Sequence, residues 1–313
     1  MCDLLEYCCK SLEITQSFKG CFAGPKNTEF SVLVESIEYR VTIDQQLKRV
    51  YSIEASDLVK IDQIWDVFLG VEDLLMIMDG RFYPITDVRI IEADCTDTEC
   101  NTISKSLISR RLYSRESSDC FNYRCNRLID YSKVFDNELV DKWFSIRDEL
   151  DIVHPMFTYI VADTGITKDV RCAFMIELFE PLSELISEYN TFFPNLEHDN
   201  KRPFLRECLD AVICKYGNDI FGSEYSANHQ GFLSVLVNTR KRIMHIKRKM
   251  KDEKYLSGEE SALYLVKLYF LYRIVVLSLL GIEYSLYKSE IVNAVEIWNE
   301  WQGTLDSFIK TKL

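Results

Sequence analysis

Glycine and proline are scarce in this sequence, with 11 and 6 residues among 313. Both residues mark turns, so their scarcity disfavours a turn-dense β-sandwich and favours long helices. The content of 47% hydrophobic and 27% charged residues excludes a disordered or collagen-like chain and is typical of a protein with a sizeable core. We therefore expect a soluble, mostly helical fold.

The sequence also lacks the common motifs of nucleotide-binding proteins and hydrolases. GxxxxGK[ST], GxGxxG after a strand, HExxH and GxSxG are all missing. Only four histidines are present, which leaves few ligands for a His-rich metal centre. The sequence therefore gives no support to these enzyme classes, and we expect no cofactor.

The N-terminus shows no secretory signal, because MCDLLEYCCKSLEITQ has acids where such a signal has basic and then apolar residues. Eleven cysteines, an odd number, then predict free thiols in a reducing cytoplasm. Four residues separate Cys95 from Cys100, and four residues also separate Cys120 from Cys125. A zinc site built on these four cysteines stays open as an alternative.

Residues 262–282 form the one long apolar run, and it is about long enough to span a bilayer. Lys267 and Arg273 lie in its middle. Each would cost roughly 2.5 to 3.5 kcal/mol at the bilayer centre. A buried helix of a bundle is therefore the better interpretation, and we expect no membrane partner.

Hydrophobic patterning divides the chain into two parts. Residues 28–54 predict a meander of short strands, and a helix capped by Ser56 should follow and end at Gly80. Further strands are expected at 84–93, 108–114 and 123–132, with a polar stretch at 94–107, and helical periodicity continues from about residue 136 to the end. The predicted fold is α+β overall and mainly α, with an N-terminal β-rich α+β domain over 1–135 and a helical bundle over 136–313.

A local basic patch contrasts with the acidic chain. Lys plus Arg number 37 against 49 Asp plus Glu, a net charge of −12, so the general surface does not attract nucleic acid. Residues 240–251, RKRIMHIKRKMK, hold seven of the basic residues and no acid. Such a patch is the electrostatic footprint of a phosphate-backbone contact, although a charge run by itself is more often a solvated face.

The helix that bears this patch has an apolar stripe along one face, and His245 does not lie on it. Residues at spacings of three and four should form its buried face: Phe232, Leu236, Thr239, Ile243, Ile246 and Met250. His245 lies about 200° from Ile243 on a regular helix. It shares a face with basic residues, so we expect an exposed imidazole that can transfer protons on RNA.

Arg240 and His245 make the spacing R-x4-H, which an apolar helix ending at Gly281 follows. With residues 138–150, 173–186 and 237–249, this motif resembles the HEPN superfamily of ribonucleases, and most closely its ApeA-like branch. The resemblance covers roughly the last 175 residues. One departure is Lys241, since the family usually has a small polar residue, most often Asn, after the motif arginine.

The resemblance implies RNA cleavage without a metal. His245 would transfer the proton of the ribose 2′-OH, and Arg240 would stabilise the charge that builds on the phosphoryl oxygens. The two side chains diverge by about 140° on a regular helix, so both reach one phosphate only in a homodimer whose motifs meet. The expected RNA-binding residues are Asn238, Lys241, Arg242, Lys247, Arg248 and Lys249.

The biological role that the resemblance implies is that of a cytoplasmic anti-phage or abortive-infection toxin. Its partners would be RNA, a second copy of the chain, and a phage-derived trigger or an antitoxin. The alternative is a non-catalytic HEPN-fold module that binds RNA or a protein through the basic helix, which the Lys241 departure favours.

Overall fold

The computed structural model describes residues 7–17, 26–45, 48–110, 127–162, 165–185, 203–246 and 253–313. Over these residues a five-stranded antiparallel sheet lies in the N-terminal region and helices follow, which confirms the predicted fold class. The chain packs as two compact units. Residues 129–145 belong to the first unit and residues from 146 onward to the second, so the start of the predicted bundle packs with the N-terminal part.

The first unit is built on the sheet, whose strand order is β2-β3-β4-β1-β5. Its elements are β1 (Cys8–Ser17), β2 (Lys26–Val34), β3 (Ile37–Gln45), β4 (Lys48–Lys60), α1 (Ile61–Asp79), β5 (Ile85–Ala93) and α2 (Asp97–Arg110). Helix α1 packs on β1 and β4. The predicted meander and the strand at 84–93 are both confirmed.

Two boundaries in this unit differ from the prediction. Ser56 does not cap a helix, because β4 continues to Lys60 and pairs there with Cys8 of β1. Helix α1 begins only at Ile61, and it ends as predicted at Gly80, whose φ of 78° a glycine adopts without strain. The first strand has no counterpart in the sequence analysis.

The stretch after β5 also differs. The expected polar loop and the start of the predicted strand at 108–114 are helix α2, while residues 111–126 lie outside the described residues. The predicted strand at 123–132 is wrong over its described part, because residues 127–130 are irregular and Tyr131–Lys133 form a 3₁₀ helix. Cys95 and Cys100 form a disulfide, so the expectation of free thiols throughout is wrong for this pair. A disulfide offers no thiolate to a metal, and the other two cysteines of the zinc alternative lie outside the described residues.

Helix α3 (Asn137–Leu150) leads into the second unit, which is helical. Its helices are α4 (Val153–Val161), α5 (Lys168–Glu177), α6 (Phe179–Leu185), α7 (Leu205–Tyr216), α8 (Asn218–Met244), α9 (Glu259–Leu279), α10 (Lys288–Gln302) and α11 (Thr304–Lys312). Helix α9 lies at the centre and contacts α5, α7, α8, α10 and α11.

Helix α9 is long and apolar enough to cross a membrane by length and composition, yet 89% of its most apolar window is buried among the other helices. Lys267 is buried with it and donates a hydrogen bond to Glu224 of α8 at 2.6 Å. Burial lowers the pKa of Lys267, although the carboxylate opposes this shift. These contacts agree with the predicted bundle helix.

Candidate functional site

The candidate site lies at the C-terminal end of α8, whose sequence both breaks and caps the helix. Asn228 has φ −164° and ψ 87°, so α8 consists of two helical parts. The Asn228 Oδ1 atom accepts a hydrogen bond from the Gly231 N–H at 3.0 Å, which caps the second part. Phe232, Leu236 and Thr239 of this part are buried, as predicted.

The helix ends earlier than the apolar stripe predicts. Met244 is the last helical residue, and Ile246 has φ 49° and a side chain that is 90% exposed. The prediction of a buried Ile246 is therefore wrong, because the backbone leaves the helix before it. Met250, the last residue of the predicted stripe, lies outside the described residues.

Residues 254–256 lie along the end of α8. The Leu256 N–H donates to Thr239 Oγ1 at 2.8 Å, and Asn238 Nδ2 donates to the Lys254 carbonyl at 3.2 Å. Thr239 Oγ1 also donates to the Val235 carbonyl at 2.7 Å. The main chain of Lys254 and Leu256 therefore fixes the last turns of α8.

Arg240, the first residue of the motif, is held by two glutamates. Its Nε atom donates to Glu177 Oε2, and its Nη2 atom donates to Glu177 Oε1 at 2.7 Å and lies 3.8 Å from Glu180 Oε2. The hydrogen bonds to Glu177 raise the pKa of the guanidinium, and burial opposes the shift. Such a two-point contact fixes the guanidinium plane.

These two glutamates were missed in the sequence analysis. They lie in α5 and at the start of α6, within the segment 173–186 that carries part of the family resemblance. Two acids three residues apart in an otherwise apolar stretch were the available signal, since a charge on a buried face needs a partner.

Lys241 and Arg242, two of the expected RNA-binding residues, also have protein contacts. Lys241 Nζ lies 3.9 Å from Glu253 Oε1, and both side chains are 40% exposed. The Arg242 guanidinium lies over the Tyr255 ring, 4.1 Å from its centroid. An exposed pair at this distance is weak, so Lys241 can exchange its partner for a phosphate at little cost.

His245 lies directly after the helix and is exposed. Its N–H donates to the Lys241 carbonyl at 3.3 Å, which ends the hydrogen-bond ladder of α8. Because it has left the helix, the angle of about 140° from Arg240 no longer applies to it. Lys247, Arg248 and Lys249 lie outside the described residues.

The arrangement combines a fixed guanidinium with an accessible imidazole. Nε and Nη2 of Arg240 face Glu177, and among the described residues no carboxylate approaches Nη1. A guanidinium can stabilise a phosphoryl oxyanion, and an exposed imidazole can accept or donate a proton near neutral pH. These are the groups that metal-free phosphodiester cleavage requires.

Comparison with known proteins gives one family match. Residues 179–286, which include Arg240 and His245, match the family model described as Apea-like HEPN. No curated protein and no solved structure matches the chain. The resemblance expected from the sequence is thereby confirmed over residues 179–286, which belong to the second unit.

Proposed function

We propose that this chain is a metal-independent endoribonuclease in which Arg240 and His245 act at the scissile phosphate. HEPN domains are commonly ribonucleases, and the match indicates an RNA-related function. The observation that carries the finer proposal is the placement of the R-x4-H motif. It falls inside the matched segment, at a helix end where the imidazole is exposed.

The proposed reaction is a transesterification followed by release. An imidazole takes the proton of the ribose 2′-OH, and the oxygen attacks the adjacent phosphorus. The bond from phosphorus to the 5′-oxygen breaks, and that oxygen receives a proton from an imidazolium. The products are a 2′,3′-cyclic phosphate and a 5′-hydroxyl, and the need for a 2′-OH restricts the substrate to RNA.

Arg240 would stabilise the negative charge that grows on the phosphoryl oxygens. Its two hydrogen bonds to Glu177 hold the guanidinium plane and occupy Nε and Nη2. Nη1 is therefore the atom that would donate to a phosphate. We propose that a second copy of the chain completes the site, with the two motifs meeting across a two-fold axis.

The proposal extends to the biological setting that the resemblance implies. The chain would act in the cytoplasm as an anti-phage or abortive-infection toxin, with a phage-derived trigger or an antitoxin controlling it. The basic residues near His245 would contact the RNA backbone, and no membrane would take part. The acidic remainder of the chain would keep non-cognate RNA away from the general surface.

The test is cleavage of RNA in the presence of EDTA by the wild type and by His245→Ala. The wild type should give products with cyclic-phosphate ends. Removal of the proton-transfer group should slow cleavage by about 10²-fold or more and leave RNA affinity nearly unchanged.

Lys310→Ala is the matched control, because it removes a polar side chain from an exposed position on α11. It should cleave like the wild type. Full cleavage by His245→Ala would reject the catalytic assignment.

A second candidate function is a non-catalytic module that binds RNA or a protein. Two observations favour it: Lys241 replaces the usual small polar residue, and Glu177 already engages Arg240 at two atoms. If neither the wild type nor His245→Ala cleaves RNA while both bind it with the same affinity, the module function takes the place of the nuclease.

A further inference from the structure

A cluster of four polar side chains lies where α7 meets α8, apart from the R-x4-H motif. Asp210 and Cys214 are one turn apart on α7, and Tyr225 and His229 lie on either side of the break at Asn228 in α8. The Asp210 Oδ1 atom is 2.6 Å from His229 Nε2, 3.3 Å from Cys214 Sγ and 3.2 Å from the Tyr225 hydroxyl.

Three of these side chains offer a thiol, an imidazole and a carboxylate, and their ligand atoms all lie within 4.8 Å of one another. Asp210 and His229 have side chains that are 35% exposed, and Cys214 is exposed. The cluster is therefore open to solvent on one side and closed by two helices on the other.

The connections between these groups do not suit a cysteine nucleophile. In a Cys-His-Asp triad the imidazole lies between the thiol and the carboxylate, whereas here both the thiol and the imidazole bond to the same carboxylate oxygen. Burial and the neighbouring Asp210 raise the pKa of Cys214 to about 11, so the thiol is not activated as a thiolate.

We propose that Asp210, Cys214 and His229 form a binding site for a single Zn²⁺ ion, with the fourth coordination position taken by water. This site is separate from the proposed nuclease function and does not depend on it. The ligand set of one sulfur, one nitrogen and one oxygen is of the kind that zinc takes in three-ligand sites with an open position.

The two ligand distances that involve Asp210 need only small adjustments to accept the ion. Tetrahedral zinc with bonds of about 2.0 to 2.3 Å places neighbouring ligand atoms roughly 3.3 to 3.7 Å apart. The Asp210 to Cys214 distance of 3.3 Å already fits, and the 2.6 Å contact between Asp210 and His229 must open by less than about 1 Å.

Binding would change the protonation of two ligands in a balanced way. The Cys214 thiol loses its proton to solvent as the Zn–S bond forms. His229 would bind as the neutral tautomer with its proton on Nδ1, so that Nε2 can face the ion. The ring of Tyr225 stacks on His229 at a centroid distance of 4.2 Å and holds the imidazole plane.

The bound ion would tie the C-terminal end of α7 to the second part of α8. His229 begins this part, and Arg240 lies eleven residues further along, which is roughly 16 Å on a regular helix. The ion would therefore fix the helix that carries the motif without touching the reacting phosphate.

The experiment measures metal binding by the full chain in a Cys95→Ser, Cys100→Ser background, in which reduction of that disulfide releases no further metal ligands. Metals are first removed with a chelator under reducing conditions. Titration with Zn²⁺ alone should show one site that is absent from Cys214→Ser, His229→Gln and Asp210→Asn. Each of these changes should weaken the Zn²⁺ affinity by at least about 100-fold. Loss of a residue that only hydrogen-bonds to a metal ligand already costs up to about 100-fold in metal affinity. Co²⁺ should give a thiolate-to-metal charge-transfer band that Cys214→Ser abolishes.

Matched controls separate this cluster from the other thiols and histidines. Cys8→Ser and His245→Gln change the same residue types outside the cluster and should bind Zn²⁺ like the wild type. Tyr225→Phe should also keep the ion, because the hydroxyl is not a proposed ligand. Circular dichroism and thermal unfolding without metal check that each variant is folded.

Two results would overturn the proposal. One is the absence of a Zn²⁺ site in the wild type, and the other is a site that survives in all three ligand variants. Because no RNA is present in these measurements, failure of the metal site and failure of the nuclease proposal are observed independently.

Discussion

In the proposed function Arg240 would contact RNA only in competition with Glu177, because both oxygen atoms of that carboxylate accept hydrogen bonds from the guanidinium. Guanidinium groups form similar two-point contacts with phosphate and with carboxylate. The glutamate therefore positions the arginine and at the same time lowers the positive potential that a phosphate encounters. This balance can be measured.

Glu177→Gln should tighten RNA binding, because it removes a negative charge beside Arg240. If one more phosphate contact forms, the log-log salt dependence for single-stranded RNA should steepen by about 0.7. The measurement is a salt series of RNA affinity in the His245→Ala background, where no cleavage interferes. Glu296→Gln removes the same charge from an exposed position of α10 and should change neither quantity. Weaker binding by Glu177→Gln would contradict the expected competition.

His154 is a buried histidine of the second unit, and its Nδ1 atom lies 3.1 Å from the Tyr272 hydroxyl. Burial, with a smaller contribution from Arg147, lowers its pKa from 6.5 to about 3. Between these two pH values the unfolded chain binds a proton that the folded chain does not. This histidine therefore destabilises the folded state progressively as the pH falls below 6.5.

Because of this residue, we expect the free energy of unfolding to fall by up to about 1.4 kcal/mol for each unit by which the pH is lowered from 6.5 to 3. His154→Gln keeps a polar side chain that does not titrate, so it should flatten the dependence. Urea unfolding of both proteins between pH 7 and 4 measures the difference between the slopes. Equal slopes would show that His154 is protonated in the folded state as well.

Single residues were predictable from the sequence where local periodicity decides their burial. Phe232, Leu236 and Thr239 are buried because the second part of α8 is a regular helix. Ile246 was not predictable in this way, since its exposure follows from where the helix ends. Glu177 belongs to another helix, and its contact with Arg240 depends on tertiary packing that no local pattern encodes.

At the scale of elements, α8 shows how one side chain defines a helix boundary. Asn228 leaves the helical conformation, and its Oδ1 atom caps the part that carries the motif. An added Cβ on Gly231 would lie 2.5 Å from Asn228 Nδ2, so the glycine leaves room for this capping side chain. Because Asn228 is the cap, the second part of α8 begins at His229.

Asn228→Ala should destabilise the second part of α8 by about 1 kcal/mol, the usual cost of losing an N-cap. Amide hydrogen exchange over residues 229–244 should then be roughly fivefold faster, because exchange follows local opening. Asn228→Asp keeps the acceptor and should retain most of the protection, although it loses the Nδ2 bond to the Leu313 carbonyl. Equal loss of protection in both variants would assign the effect to that second bond.

The errors at this scale come from pairing between distant segments. Strand β4 extends to Lys60 because β1, some fifty residues earlier in the chain, supplies its partner from Cys8 onward. Strand propensity depends strongly on such context, so the alternation around Ser56 could equally be assigned to the start of a helix. The periodicity of a helix can be recognised within one segment of the chain, whereas a strand depends on its partner. For this reason α3 and α9 were predicted and β1 was not.

At the scale of the whole molecule, the proposed function requires an acidic chain to bind RNA at one small basic region. The net charge of −12 repels nucleic acid from most of the surface, and the basic residues at the end of α8 provide the local exception. Two such regions facing each other in a dimer would double the positive potential at one phosphate. The proposed two-fold assembly would therefore serve binding as well as catalysis.

A site completed by two chains predicts complementation between inactive variants. Arg240→Ala and His245→Ala homodimers should each cleave RNA slowly, because one lacks both guanidinium groups and the other both imidazoles. When the two variants are mixed and allowed to exchange chains, the mixed dimer places one arginine and one histidine at the shared phosphate. Cleavage should then recover to a clear fraction of the wild-type rate, and the wild-type rate per chain should fall when dilution dissociates the dimer.

Light scattering on the same samples reports whether a dimer exists at the concentrations used. The matched control is a mixture of His245→Ala with His245→Gln, which exchanges chains equally well but supplies no imidazole to any site. A mixture of Arg240→Ala and His245→Ala that stays inactive although mixed dimers form would place both groups in one chain. A wild-type protein that is monomeric at micromolar concentration and still cleaves RNA would reject the shared site, because each chain would then hold a complete one.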